Sequence, residues 1–473
     1  MKEVTVDLFD VEEAAGELTD SDIEVLDLLE ALYRASNKIA IKKLAKNDRG
    51  WAWSPPSTKQ AGIYVPKEFR DGLFFPKDDA ILPRADKPAI LDLSVPVRWP
   101  QAPAHGKEAH YKRFTEKNSG TETHLTQLPR SIFKTAGPAS YLVMGRLPAA
   151  PPTSLVCVVV DSGSTVHAML DAKFDLRPDF QAGVFDPPTA TPTETHDADE
   201  LQTFIDEAVE AVATGTLELM LRKYARMPAP ALLSAQAQQI WLERNPESTL
   251  NPMKLSKPGD AVRELVAHIE FDLYRKHEVR TRAVNLIELV LGDRKELTVK
   301  SLVTSLVRDF SGFYSEMLNA AQQRKARVGA GFETHIRALL EAGAIPFAEQ
   351  KVVSSLRPDF VLPSVALYQA KSPSALVLSA KTTLRERWKQ VTMEKRGCPV
   401  FLATMDEKVA VSSVRKMREH DVFLVVPEAF KAKGKGTVVD FSAESNVLSF
   451  SEFFKEEIGV RRVPLWQAER TAS

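Results

Sequence analysis

Two cysteines in 473 residues, Cys157 and Cys398, stand far apart in apolar, strand-like surroundings, so a disulfide framework or a cysteine zinc cluster is excluded and both read as core thiols. Histidine offers no ligand spacing either: the pair His277-Glu278 lacks the second histidine of a zincin. No apolar run approaches the roughly 20 residues of a membrane span. The first thirty residues carry a single base, Lys2, the reverse of a signal or transit sequence, and a cytoplasmic protein without membrane contact is expected. A P-loop is missing, which argues against ATP-driven translocation, and Gly329-Ala330-Gly331 opens a helix but follows no strand, which argues against a dinucleotide site. The net charge of -1 lacks the basic excess of many nucleic-acid binders. Bases gather locally instead, around Lys42–Arg49, Lys112–Lys117, Arg275–Arg282 and Arg324–Arg327, so a basic footprint remains open.

What is present is an ordinary globular composition, 44% hydrophobic and 26% charged, in a chain long enough for at least two domains, because single cores rarely grow past about 250–300 residues. Residues 1–37 read as an acidic extension with helical spacing over Ser21–Asn37. Short strand-like runs follow, "AGIYVP", "AILDLSVPV" and "SLVCVVVD", and predict an all-β domain over residues 38–185. The stretch 186–200, "DPPTATPTETHDADE", is too poor in apolar residues to offset chain entropy and is read as a linker. Residues 201–473 begin with helical patterns: Leu201–Leu221, the face Val262, Leu265, Ile269 and Leu273, and Ser301–Gln323. From Gly331 the order becomes helix, interrupted strand with Arg357-Pro358-Asp359, strand Ala375–Lys381, helix Thr383–Lys395, strand Pro399–Thr404, helix Val411–His420 and strand Val422–Val426. Strand, helix, strand implies parallel pairing with a crossover, hence an α/β sheet flanked by helices.

Within that order Asp359 sits at a proline-bent strand and Lys381 ends the neighbouring one. A carboxylate there can hold a hard cation such as Mg²⁺, and an ammonium beside it can orient water or offset phosphate charge. The usual nuclease motif places an acid two residues before the lysine, but Ser379 occupies that position. Glu394 shares a stripe of the following helix with Arg387 and Gln390, while Leu384, Trp388 and Val391 form the adjacent apolar stripe, so Glu394 is a candidate second acid. Glu333, spaced with Ile336 and Leu340, borders the buried face of the earlier helix and is a further candidate. By default, however, Glu333 and Glu394 are surface acids and Arg385-Glu386-Arg387 a solvated helix face; only their joint appearance in this element order favours a site.

The segments "RKARVGAGFETHIRALLEAGAIPF", "RPDFVLPS" and "SAKTTLRERWKQV" with Glu394 resemble the catalytic domain of EcoRII-type restriction endonucleases, in the PD-(D/E)xK superfamily and the group that cuts CCNGG or CCWGG sites. Upstream, "IAIKKLAKNDRG" and "KQAGIYVP" resemble the start of the EcoRII effector domain, a β-pseudobarrel similar to the plant B-three DNA-binding fold. The resemblance implies Asp359, Lys381 and Glu394 as the catalytic set, Asp359 and Glu394 as Mg²⁺ ligands, and Glu333 as a supporting acid. It implies that Arg385 and Arg387 read guanines and Glu386 reads cytosines in the major groove. Two effector loops would embrace DNA, through Lys46, Asn47, Asp48 and Arg49 and through Lys112, Arg113, Lys117 and Asn118. Double-stranded DNA, a homodimer matched to a palindrome, and a cognate DNA methyltransferase in the same system are the implied partners. The rival readings are a repair or recombination nuclease of the same superfamily, which would not need the Arg-Glu-Arg reader, and a non-cutting DNA-binding regulator, against which Asp359, Lys381 and Glu394 speak.

Overall fold

The computed structural model describes residues 19–53, 62–71, 74–76, 81–117, 122–148, 154–187, 198–224, 226–292, 298–349, 358–382, 384, 388, 397–431, 441 and 443–471. A helix over Asp20–Ala35 opens the described chain, with Thr19 and Asp22 exchanging side-chain and backbone hydrogen bonds in a capping box. Its buried face, Leu29, Leu32 and Tyr33, packs on the sheet that follows. Gly145 permits this approach, because a Cβ there would collide with Leu32 and Ser36. The segment read as a separate extension is therefore, from residue 20 on, a layer of the N-terminal half.

That half contains β1 (Lys38–Lys43), β2 (Ile63–Tyr64), β3 (Leu82–Pro83), β4 (Ile90–Val95), β5 (Val97–Arg98), β6 (Ala109–Phe114), β7 (Glu122–Thr126), β8 (Tyr141–Arg146), β9 (Leu155–Val160) and β10 (Ala182–Phe185). They form two five-stranded sheets, ordered β10-β1-β8-β9-β5 and β2-β7-β6-β4-β3. Ala40, Leu142, Met144, Leu155 and Cys157 of the first meet Ile63, Tyr111 and Leu125 of the second in one core. The alternate residues of β8 and β9, Tyr141, Val143, Val156, Val158 and Val160, face the opening helix and a second helix, Thr165–Lys173, capped by Ser164. Burial on both faces explains why β9 reads as an unbroken apolar run. The half is thus less purely β than its sequence suggests: short helices also occupy Lys46–Gly50 and Arg130–Thr135.

The expected linker shortens at both ends. Asp186 is tied to Lys38 at 2.5 Å, and Ala198 already begins a helix running to Thr214. Gly215, with φ +70°, separates that helix from Leu217–Tyr224, where one continuous helix was expected. Helices Pro230–Arg244, Pro258–Glu264 and Phe271–Leu291 follow, with a π-helical turn over Leu265–Glu270 between the last two. Val262 and Val266 enter the C-terminal core, whereas Leu265 and Ile269 pack on Ala237 and Trp241, so the expected single apolar face serves two cores.

A helix over Val299–Arg308 precedes one continuous helix, Phe310–Ala342, which runs through the glycines taken as a helix start. Gly331 is buried inside it; a Cβ would strike the Glu270 carboxylate, which bonds His335 and Ser234. The C-terminal sheet orders β11 (Ala348–Glu349), β12 (Phe360–Leu362), β13 (Leu376–Ala380), β14 (Val400–Ala403), β15 (Val422–Val426) and β16 (Val447–Ser449) in sequence. β11, β12 and β13 are antiparallel, and β13 through β16 are parallel. One face of the sheet (Phe360, Leu376, Leu378) packs on Phe332, Ile336 and Leu339 of the long helix; the other (Val361, Val377) packs on Leu384, Trp388, Val414 and Met417. Among the described residues no helix is long and apolar enough to cross a membrane, and both cysteines are buried free thiols.

Candidate active site

The register Phe360↔Leu378 places Asp359, just before β12, opposite Ser379 of β13 on one face of the sheet. The Asp359 Oδ2 atom accepts from the Ser379 hydroxyl at 2.9 Å, from the Ala380 N–H at 2.7 Å and from Lys381 Nζ at 3.0 Å; Oδ1 accepts from Nζ at 3.2 Å. Lys381 has passed the end of β13, but its N–H still donates to the Ala403 carbonyl at 2.9 Å, so the parallel ladder fixes the residue that carries the ammonium. The Asp359 side chain is 11% exposed and that of Lys381 28%, so the pair sits at the lip of the sheet, backed by protein and open on one side. Fully buried Ser379 acts as a donor to Asp359, where a carboxylate in the same place would repel it.

Immediately after Lys381 the chain is clamped to the same face. Leu384 is 1% exposed and Trp388 6%, both within one core with Val377, Val409 and Val414. Full burial of a leucine contributes roughly 1.5–3 kcal/mol, so Leu384 and Trp388, four residues apart as expected of a helical stripe, are each held firmly in that core. Arg385, Glu386, Arg387 and Glu394 lie outside the described residues. Glu333 is half-buried on the long helix between fully buried Phe332 and Ile336, on the face of the sheet opposite the Asp359 pair, and its charge helps raise the pKa of Arg337, whose main cause is the Glu349 hydrogen bond. The structure therefore brings Asp359 and Lys381 together and leaves Glu333 on the helix behind them. Asp406 is a residue the sequence reading passed over: it is buried after β14 and accepts the Leu384 N–H at 2.8 Å.

Of the residues assigned to the N-terminal loops, Asp48 is a correction. It is 2% exposed, and its carboxylate accepts from Lys42 Nζ at 2.5 Å and from the N–H groups of Ala45 and Tyr64 at 2.9 Å each. It ties β1, a short helix and β2 together and presents nothing to DNA. Arg49 is half-buried, donates to the Ala136 carbonyl at 3.1 Å, and has its pKa lowered chiefly by burial. Lys46 and Asn47 are exposed. Lys112 and Arg113 lie on β6, Lys112 with Nζ 4.0 Å from Asp92, and exposed Lys117 stands over the Phe114 ring at 4.8 Å. Asn118 lies outside the described residues.

The two halves of the molecule meet beside the core that holds Leu384 and Trp388. Lys43 reaches from β1 to Glu407 at 3.1 Å, Lys408 Nζ lies 3.3 Å from His167 Nδ1, and Ala139 packs in the core that holds Leu384 and Trp388. Arg177 with Asp272 and His268 with Asp179 extend the contact onto the helical segment.

The Asp–Lys pair thus lies at adjoining ends of neighbouring strands in a mixed sheet with helices on both faces, an α/β domain. Residues 293–454 match the family model described as EcoRII C terminal. The type II restriction enzyme SsoII of Shigella sonnei is 28% identical over 183 residues, 32% of this chain and 60% of the relative. EcoRII of Escherichia coli is 31% identical over 145 residues, 29% of this chain and 36% of the relative. The chain thus spans less than two thirds of the length of these relatives, and its C-terminal region is EcoRII-like. Metal-depleted Ecl18kI in complex with uncleaved DNA aligns over 52% of this chain and 84% of that one, at 20% identity and a TM-score of 0.41.

Proposed function

We propose that this protein is a type II restriction endonuclease that cuts double-stranded DNA at a short palindromic, CCNGG-like site by Mg²⁺-dependent phosphodiester hydrolysis. The observation that supports it most is the Asp359–Lys381 pair inside a region matching the EcoRII C terminal. Asp359 suits a hard cation, because among the described residues Oδ1 accepts only from Lys381. Asp359 and Glu394 would hold the ion, which would supply an acidified water and offset phosphate charge. Lys381, held by the sheet at its backbone and by Asp359 at its ammonium, places positive charge where the scissile phosphate arrives and orients the attacking water. Ser379 keeps the carboxylate in position throughout.

Arg385 and Arg387 would read the guanines of each half-site and Glu386 the cytosine amino groups. A palindrome requires two such sites related by a two-fold axis, hence a homodimer. The N-terminal half, as a pseudobarrel of the plant B-three type over about residues 38–185, would act as an effector that binds a further copy of the site through Lys46, Asn47, Arg49, Lys112, Arg113, Lys117 and Asn118. A methyltransferase of the same specificity would protect the host DNA. Incubating the full-length protein with plasmid and Mg²⁺ and sequencing the ends tests the reading: discrete cuts at one CCNGG-like palindrome are expected. Random nicking or intact plasmid would overturn it.

A further inference from the structure

We infer that Asp406 is a specificity-determining positioning residue: it fixes the backbone at Leu384, next in sequence to the residues assigned as DNA readers. The inference rests on the assignment of Arg385, Glu386 and Arg387 as readers. In sequence those residues stand between Leu384 and Trp388, two buried side chains, and begin four residues after Lys381. Side-chain burial alone leaves the backbone at Leu384 free to rotate and slide, because apolar contact is non-directional. A hydrogen bond to a backbone N–H is directional, and the Leu384 N–H donates one to Asp406 Oδ2 at 2.8 Å.

Asp406 is itself held from several sides. Its N–H donates to Thr404 Oγ1 at 3.0 Å, its Oδ1 accepts from the Lys408 N–H at 2.8 Å, and it is 6% exposed. Thr404 is fully buried and continues the ladder by donating to the Val425 carbonyl at 2.9 Å. The acid thus ties the backbone at Leu384 to the rigid ends of β14 and β15. Burial also raises the pKa of Asp406, which shows that the fold accepts a cost to keep a carboxyl there. The hydrogen bonds of Asp406 go to Leu384, Thr404 and Lys408, so it acts through backbone geometry, and its removal should blur recognition before it harms general DNA binding.

The test uses full-length Asp406→Ala and Asp406→Asn beside Arg387→Ala. Affinities are measured in metal-free buffer for a duplex carrying the site mapped by plasmid cleavage and for the same duplex with one guanine changed. Asp406→Ala should cut the ratio of cognate to altered-site affinity at least tenfold with affinity for the altered duplex unchanged, and Asp406→Asn, which keeps one acceptor oxygen, should cut it less. If Asp406→Ala does not fold, Asp406→Asn alone decides. An unchanged ratio in the Asp406 variants, with the ratio lost in Arg387→Ala, would overturn the role of Asp406 and leave the readers standing. An unchanged ratio in all variants would overturn both, and an equal loss for both duplexes would mark Asp406 as merely structural.

Discussion

One lysine–aspartate pair in each half, Lys42–Asp48 and Lys381–Asp359, has its acid also tied to backbone N–H groups, and the surroundings of the two separate a structural pair from the one proposed to react. The side chains of Lys42 and Asp48 are 6% and 3% exposed, and the Asp48 oxygens also accept from Ala45 and Tyr64. Lys381 and Asp359 are 28% and 11% exposed, and the lysine faces the open lip of the sheet. The closed pair has no room for a phosphate or a cation. The open pair has its carboxylate fixed by Ser379 and Ala380 while the ammonium stays accessible. Residue types and bonding are alike, so access makes the difference.

The sharpest way to break this comparison is to remove the open pair. Asp359→Ala or Lys381→Ala should reduce cleavage by roughly 10³-fold or more, since metal-held water and the charge beside the phosphate carry the proposed chemistry. Specific binding should largely survive. Plasmid cleavage with Mg²⁺, paired with gel-shift affinity for the mapped site, measures both; near wild-type cutting by either variant would remove the site assignment.

The closed pair should respond in the opposite sense. Removing one partner of a buried pair strands the other charge in protein and typically costs about 3–5 kcal/mol, so Asp48→Ala should lower stability by that order. Lys381→Ala should change it by about 1 kcal/mol or less, as partly solvated pairs do. Denaturant midpoints of the two variants give the contrast directly, and equal losses would mean that exposure is not what separates the pairs.

These pairs also show which parts were legible in the sequence. The runs that became β13, β14 and β15 read correctly because strands buried on both faces are continuous apolar segments. Asp359 and Lys381 stood out because strand ends placed them together. Asp48 misled for a physical reason: a cluster of Lys, Asn, Asp and Arg looks like a charged loop until Lys42, six residues earlier, and the Tyr64 N–H, sixteen later, close on it. Gly331 misled in the same way, since its demand for a missing side chain comes from Glu270, remote in sequence. Asp406 gave no signal at all: "MDEK" after a strand resembles any polar turn, and only the fold reveals the Leu384 N–H it serves.

A smaller effect sharpens the reading of the segment after the open pair. Each bidentate arginine–guanine contact is worth about 1–3 kcal/mol, and a symmetric dimer loses it twice. Arg385→Ala or Arg387→Ala should therefore weaken specific binding far more than non-specific binding. Methylation of the cytosine amino group removes a donor hydrogen and adds bulk, so N4-methylated sites should resist cutting. Equal cleavage rates on methylated and unmodified duplexes would count against Glu386 as the cytosine reader.

The smallest expected effect concerns how the two halves constrain each other, and it turns on neighbouring lysines of β1. Lys42 closes on Asp48 within its own half, while Lys43 crosses to Glu407, one residue beyond Asp406. Lys43 also donates to the Pro178 carbonyl at 3.1 Å, and Glu407 is shared with Arg263, so the crossing bond is one strut among several. If the N-terminal half restrains the nuclease until it binds its own copy of the site, DNA can release it only by binding the open arrangement better than the closed one. Full-length protein should then cut two-site plasmid faster than one-site plasmid. Lys43→Met keeps the buried stem but removes the bond to Glu407, which biases the equilibrium towards opening. It should raise the one-site rate by a few-fold, leave the two-site rate nearly unchanged, and so narrow the gap between them. Raising the salt should narrow the gap in the wild type as well, to a lesser degree because the pair is largely shielded from solvent. Initial rates on the two plasmids decide the matter: equal rates for wild type and variant would leave the nuclease assignment intact and remove the restraint.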